Sequence, residues 1–304
     1  VFIGLIEIKN VSKSFGNHKV LEDVSFTVEN GEIAGYVGLN GAGKTTTIRI
    51  AVGVLPPDNG DAIIDGISVT KEKKRASERI GWVPELPIFE TDFKVIDYFL
   101  YIAGYYGISV DSAKRLAKEK LEMLELGNAL NMKLAALSQG MKKRFALAVS
   151  LINDPPNFIF DEVLNGLDPQ GIVFFRELAL KFKSQEKAVL FSSHILSEVQ
   201  GIADKVVFIH KGKILGVYKM NEIADIAKPA IILKVDKVNE SLYVLKEFGK
   251  AEVRGESIAL LDPSASTGEI VKALLEHGIN VLELKQEEKG LEEFFFRLIK
   301  DGGN

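Results

Sequence analysis

Eight consecutive residues, Gly38-Leu39-Asn40-Gly41-Ala42-Gly43-Lys44-Thr45, have the types and spacing of a phosphate-holding loop, G-x-x-x-x-G-K-[ST]. Its glycines let main-chain N–H groups curl around phosphate oxygens where a Cβ would clash. Lys44 supplies a cation for the β and γ phosphates, and the Thr45 hydroxyl is a hard oxygen suited to Mg²⁺. Thr46 continues into a helix whose positive N-terminal end faces the same anion. A glycine-containing turn matches such a pattern by chance now and then. Here the apolar run Ile33–Val37 leads into the loop and a helical stretch, Thr45–Val54, leads out. That is the context the chemistry requires, and it predicts a nucleotide site.

A nucleotide-cleaving site also needs a carboxylate near the metal and a group to orient the attacking water. Asn157-Phe158-Ile159-Phe160 reads as a buried strand, and it ends in Asp161 and Glu162. Asp161 is the candidate metal support and Glu162 the candidate general base. Taken alone, two acids at a strand end are ordinary surface residues. In a chain with a phosphate loop they belong to the same site, because ligands of parallel sheets gather at strand C-termini.

The elements that must position these groups are legible in outline. Residues 5–28 alternate as strands, with Asn30-Gly31 as a turn, and the opening Val1–Ile6 reads as the start of an edge strand. Leu55-Pro56-Pro57-Asp58-Asn59-Gly60 is expected to stop the first helix. Residues 93–135 carry apolar residues at helical spacing, among them Val95, Phe99 and Ile102, then Leu116, Leu121 and Leu124. From 136 to 210 the α/β pattern returns, with Ala188–Phe191 as a second buried strand. Beyond about residue 222 the elements read strand, helix, hairpin, helix, strand, and then a closing helix over Leu291–Ile299. The βαββαβ order predicts a small ferredoxin-like domain. The expected division is 1–221 and 222–304, with a helical subdomain at about 86–153.

With these elements in order, the chain from about Leu5 to Gly216 resembles the nucleotide-binding subunits of ATP-binding-cassette (ABC) transporters. Leu137-Ser138-Gln139-Gly140-Met141 resembles the family signature, Asn165-Gly166-Leu167-Asp168 its D-loop, and Ser192-Ser193-His194 its switch histidine. Phe15 falls where the family stacks a ring on adenine. Singly these are weak: Leu-Ser-x-Gly is usually a helix cap, and a lone His or Phe more often packs. The resemblance implies an α/β fold: a P-loop ABC ATPase domain with a parallel-sheet core, an antiparallel β subdomain and a helical subdomain, then the α+β domain. It further implies that Ser138, Gln139 and Gly140 face the ATP of a second protomer arranged head to tail. His194 then contacts the γ-phosphate or the water. Glu162, His194 and Lys44 would be catalytic, and Thr45, Asp161 and the residue at Glu85 would hold Mg²⁺.

Three positions depart from the pattern: Glu85 stands where Gln is usual, Gln139 where Gly is common, and Val163 where Pro follows the base. Glu85 either reaches Mg²⁺, adding negative charge near the phosphates, or serves a contact to the membrane partner. The resemblance also places a groove for a permease helix near Leu86–Phe89, with Phe93, Tyr98, Phe99, Tyr101, Tyr105 and Tyr106 as candidate lining. The C-terminal extension resembles those of exporter subunits, where Phe294–Phe296 pack either inward or on another protomer. His277, before Gly278, reads as a helix-end cap.

Composition limits the alternatives. A net charge of −4 argues against nucleic acid as the main partner, since duplex binding leaves a basic footprint. With no cysteine, disulfides and thiolate metal sites are ruled out. No run reaches the ~20 apolar residues of a membrane span, and the N-terminal residues carry neither basic leader nor cleavage site. The resemblance implies a cytoplasmic location, peripheral on the cytoplasmic face of the cell membrane. The expected partners are an integral membrane permease and a second ATPase subunit, identical or paralogous. A soluble ABC ATPase of ribosomes or DNA is the alternative. Such proteins usually hold two cassettes or a long coiled coil, whereas only 116 positions separate Thr45 from Asp161.

Overall fold

A computed structural model describes residues 5–226, 230–261, 263–287 and 291–301. The chain forms two compact units, the first running to Tyr218 and the second beginning at Lys219, against an expected boundary at 221/222. In the first unit the elements are β1 (Ile6–Phe15), β2 (His18–Val28), β3 (Ile33–Val37), α1 (Lys44–Ala51), β4 (Asn59–Ile64) and β5 (Ile67–Ser68). They continue with α2 (Lys73–Ser77), β6 (Ile80–Val83), α3 (Val95–Tyr105), α4 (Val110–Met123) and α5 (Gln139–Ser150). The remainder is β7 (Asn157–Phe160), α6 (Pro169–Ser184), β8 (Ala188–Ser193), α7 (Leu196–Gln200), β9 (Lys205–His210) and β10 (Lys213–Lys219).

Two sheets divide the work in this unit. Strands β3, β7 and β8 are buried along their whole length, so both faces are covered, as in the parallel sheets of α/β proteins. They lie in a six-stranded sheet of order β10-β9-β3-β8-β7-β6, in which β9, β3, β8, β7 and β6 pair in parallel. Strands β1, β2, β4 and β5 form an antiparallel sheet of order β2-β1-β4-β5. Its β1 starts with the burial alternation of a one-faced strand: Ile6 and Ile8 are buried and Glu7 is half-buried. The expectation of an edge strand fails from Ile6 onward, because β1 pairs with β2 on one side and β4 on the other. Val1–Gly4 lie outside the described residues.

Helix boundaries follow local chemistry. α1 stops earlier than the proline-rich stretch suggested, because Gly53 adopts φ 74°, the left-handed conformation that ends helices. α4 starts at a Ser109 cap that accepts from the Ser112 N–H, and buries Ala113, Ala117 and Leu121, four residues apart on one stripe. In the same region Phe89 packs edge-on against Phe145 of α5 and Tyr98 of α3, with centroids 5.0 and 5.7 Å apart.

The second unit contains α8 (Met220–Ile226), β11 (Ala230–Val235), α9 (Val238–Leu245), β12 (Lys250–Arg254) and β13 (Ser257–Leu261). α10 (Thr267–Glu276), β14 (Val281–Glu287) and α11 (Leu291–Asp301) complete it. Its antiparallel sheet has the order β12-β13-β11-β14, the ferredoxin-like arrangement expected from βαββαβ. Ile231, Leu233, Ile258 and Leu260 pack with Leu245 of α9 and Leu274 of α10. His277 ends α10, its Nδ1–H donating to the Ala273 carbonyl at 2.8 Å. Phe294 and Phe295 of α11 are buried, and Phe296 is exposed.

Gly38, at the end of β3, is where the sheet allows no side chain. A Cβ there would lie 2.4 Å from the Ile209 carbonyl oxygen and 2.8 Å from its Cγ2. Gly38→Ala is expected to lower unfolding free energy by about 2 kcal/mol, the range of overpacked cores, measured as a shifted urea midpoint. Gly140→Ala meets nothing within 4 Å and is expected to stay within about 0.5 kcal/mol of the parent.

Candidate functional site

The site is made by sheet order. β8 lies between β3 and β7, with Val37 opposite Ser193 and Phe160 opposite Phe191, so the three strands end together. The phosphate loop leaves β3, Asp161 and Glu162 leave β7, and Ser192–His194 end β8 and follow it. A cavity of about 540 Å³ opens over these ends, lined by His18, Val20, residues 40–46, Glu85, Glu162, Asn165 and His194.

At its floor Lys44 and Glu162 form an ion pair, with Nζ 3.1 Å from Oε1 and both side chains about one-twentieth exposed. The Lys44 ammonium also donates to the Gly38 carbonyl at 2.7 Å. The other carboxylate oxygen of Glu162 accepts from Asn165 Nδ2 at 3.1 Å and meets His194 Nδ1 at 3.0 Å. That contact selects the tautomer with the proton on Nδ1. Glu162 has φ 47°, a left-handed conformation that costs a non-glycine residue about 1–2 kcal/mol. Strain of that size at a group buried beside a cation is characteristic of functional positions.

Asp161 is arranged differently. Its Oδ1 accepts from Thr45 Oγ1 at 3.2 Å and Ser192 Oγ at 2.8 Å, and Ser192 Oγ also accepts from the Glu162 N–H at 2.8 Å. Burial pushes the Asp161 carboxyl above its usual range; the two hydroxyl bonds oppose this, and the charges of Glu85 and Glu162 add to it. A buried carboxylate wanting positive charge, beside a threonine hydroxyl, is a donor set that fits Mg²⁺. Such a cation takes few protein oxygens and fills its shell with phosphate and water.

The remaining expected residues are placed variously. Glu85 borders both this cavity and an adjoining one of about 510 Å³ lined by Arg49, Trp82 and Asp161, among others. Phe15 sits at the tip of the β1–β2 hairpin opposite His18, about half exposed, with the Lys13 ammonium 5.8 Å from its ring. His18 lines the cavity while Phe15 stands outside it, so the hairpin carries a second candidate for the base side that sequence reading missed. Ser138, Gln139 and Gly140 do not line the cavity; Ser138 caps α5, accepting from the Met141 N–H at 3.2 Å. Sequence reading also passed over the bridging role of Ser192 and the grip of Asn165 on Glu162. Both lie inside motifs it had quoted, but neither pairing has a fixed spacing.

Breaking the buried pair from one side should be costly. Lys44→Met is expected to destabilise the nucleotide-free protein by about 3 kcal/mol, because it strands the Glu162 charge. Lys44→Met combined with Glu162→Gln should recover most of that loss. Urea unfolding of the single and double variants measures both.

Comparison with known proteins bears on this site. A family model described as "ABC transporter" matches residues 21–165. The chain is 31% identical over 303 residues to the bacitracin transport ATP-binding protein BcrA of Bacillus licheniformis, covering 98% of each. It is 32% identical over 302 residues to the uncharacterized ABC transporter ATP-binding protein YhcH of Bacillus subtilis (strain 168), covering 97% of this chain and 95% of that one. Among solved structures, an ATP-binding subunit of an ABC transporter superposes with a TM-score of 0.67 at 30% identity, over 73% of this chain and 92% of its own. By this likeness the chain belongs to the ABC transporter family as an ATP-binding, ATP-hydrolysing subunit.

Proposed function

We propose that the ATPase acts in a head-to-tail dimer and drives export through a separate membrane permease. The observation that carries the reading is the buried contact of Lys44 with Glu162. The γ-phosphate of ATP competes with Glu162 for the Lys44 ammonium, so nucleotide entry releases the carboxylate to act on water. His194 and Asn165 keep the freed carboxylate oriented, and His194 contacts the γ-phosphate or the water. Mg²⁺, held through Thr45 and Asp161 with Glu85 at the margin, neutralises phosphate charge as the bond breaks. Phe15 stacks on adenine, with the backbone of residues 38–46 around the phosphates.

The dimer is supported by what the cavity lacks. Ser138, Gln139 and Gly140 open the 12-residue helix α5, whose N-terminal amides suit a phosphate, yet they stand apart from this chain's own cavity. A second subunit, identical or paralogous, brings them to the ATP.

The permease reading rests on exposed apolar surface on the segment between β6 and α3 and on α3 itself. Leu86 is 72% exposed, Ile88 91%, Phe93 40% and Tyr101 50%, beside the partly buried Phe89 and Tyr98. Phe99 is fully buried and belongs to the core, not to a groove. No helix among the described residues is long and apolar enough to cross a membrane. In this reading the membrane path belongs to a partner chain, with this subunit on the cytoplasmic face. The resemblance of the C-terminal unit to the extensions of exporter subunits supports export.

Glu162→Gln is expected to bind ATP with near-parental affinity, to trap a stable dimer seen by size-exclusion chromatography, and to hydrolyse at least about a hundredfold more slowly. Undiminished hydrolysis would remove Glu162 from the role of base. Ile88→Asp is expected to abolish co-purification with an integral membrane protein while leaving the ATPase rate of the free subunit unchanged. Normal assembly in that variant would count against the docking surface.

A further inference from the structure

Lys143 is a cation where the fold gives it little water. It lies in α5, five positions after the Ser138 cap, with its side chain 8% exposed. Its ammonium donates to the main-chain carbonyls of Glu162 and Val163, each at 3.2 Å, and to that of Asn165. Three N–H donors thus meet three carbonyl acceptors, which is the full capacity of a lysine. Among the described residues no carboxylate lies within ion-pair distance of it. Removing an ammonium from water costs several kcal/mol, and carbonyl dipoles alone repay only part of that. Burial accordingly lowers the Lys143 pKa, while the charges of Glu85, Glu162 and Glu198 oppose the shift. One oxygen of Glu198 is itself buried without a hydrogen-bond partner, and burial raises its pKa. Lys143 is the counter-charge of this acidic neighbourhood, including the glutamate that replaces glutamine at position 85.

What the lysine grips is the turn that aims the base. Glu162, with its left-handed backbone, opens the turn, and the Asn165 N–H closes it onto the Glu162 carbonyl at 3.1 Å. Asn165 also holds the Glu162 carboxylate from its side chain. Because α5 is one rigid helix, a displacement at its Ser138 end is carried about one and a half turns to Lys143. We infer that Lys143 is a positioning residue, which locks the Glu162–Asn165 turn to the signature helix and so ties the direction of this subunit's base to the nucleotide held by its partner. The inference rests on the assignment of Glu162 as base and of Ser138–Gly140 to the partner's ATP.

The test compares Lys143→Met, Lys143→Gln and Lys143→Arg in the full chain under dimer-forming conditions, alongside Glu162→Gln. Steady-state ATPase gives kcat and KM, and a fluorescent ATP analogue gives affinity. Lys143→Met keeps the length of the side chain and loses every donor. It is expected to lower kcat at least about tenfold with KM and nucleotide affinity changed less than about twofold, the pattern of an interaction lost in the transition state. Lys143→Gln keeps two donors without the charge and should fall between Met and the parent. Lys143→Arg should return kcat to within about threefold of the parent. A merely structural lysine would lower the folded fraction, reducing kcat and nucleotide-binding capacity together in all three variants, and that result would overturn the inference. Parental kcat in Lys143→Met beside an inert Glu162→Gln would overturn it alone. An active Glu162→Gln would remove it together with the base assignment.

Discussion

The site is organised by one buried ion pair, Lys44 with Glu162, and the surrounding structure makes that pair tolerable. Two charges removed from water are stable together only when their remaining hydrogen-bonding capacity is filled. Here Gly38 supplies a carbonyl to the lysine, and Asn165 and His194 supply donors to the glutamate. The same constraint explains why Gly38 cannot carry a side chain: its backbone is pressed against Ile209 where the loop turns back toward the ammonium.

The two acids at the end of β7 have neighbouring positions and different environments. Asp161 accepts from two hydroxyls, and among the described residues no ammonium lies at ion-pair distance from it. Glu162 is already occupied by Lys44. Environment thus distinguishes two residues that the sequence presents as a simple Asp-Glu pair, and the proposed roles of support and base follow that difference. Ser192 couples them, donating to the Asp161 carboxylate and accepting from the Glu162 amide, which sets the two groups' relative direction.

Charge in the neighbourhood is balanced across elements that are far apart in the chain. Glu85 after β6, Glu162 after β7 and Glu198 on α7 all act on Lys143 of α5. An additional acid at position 85 would be expected to disturb phosphate binding. Lys143 tempers that field without entering the cavity. The exposed Leu86 and Ile88 lie within three positions of Glu85, so the acidic edge of the cavity and the proposed docking surface share one continuous segment.

The sequence by itself determined everything that depends on local spacing. The phosphate loop, the apolar strands around it, the Asp161-Glu162 pair and the βαββαβ order of the second unit could all be read because glycine freedom, burial on both faces and turn chemistry act within a few residues. The left-handed Gly53 that ends α1 lay outside that reading, since a single glycine before a proline-rich stretch does not reveal its φ. Strand order was decided only by the tertiary structure. It placed β1 inside its sheet and set β8 between β3 and β7, which brings Ser192 against two acids some thirty residues away. The Lys44–Glu162 pair, the hold of Lys143 on the Glu162–Asn165 turn and the approach of His18 to the cavity all depend on such long-range placement. No local pattern encodes it, because hydrophobic packing of whole strands, and not the chemistry of any one residue, chooses their neighbours.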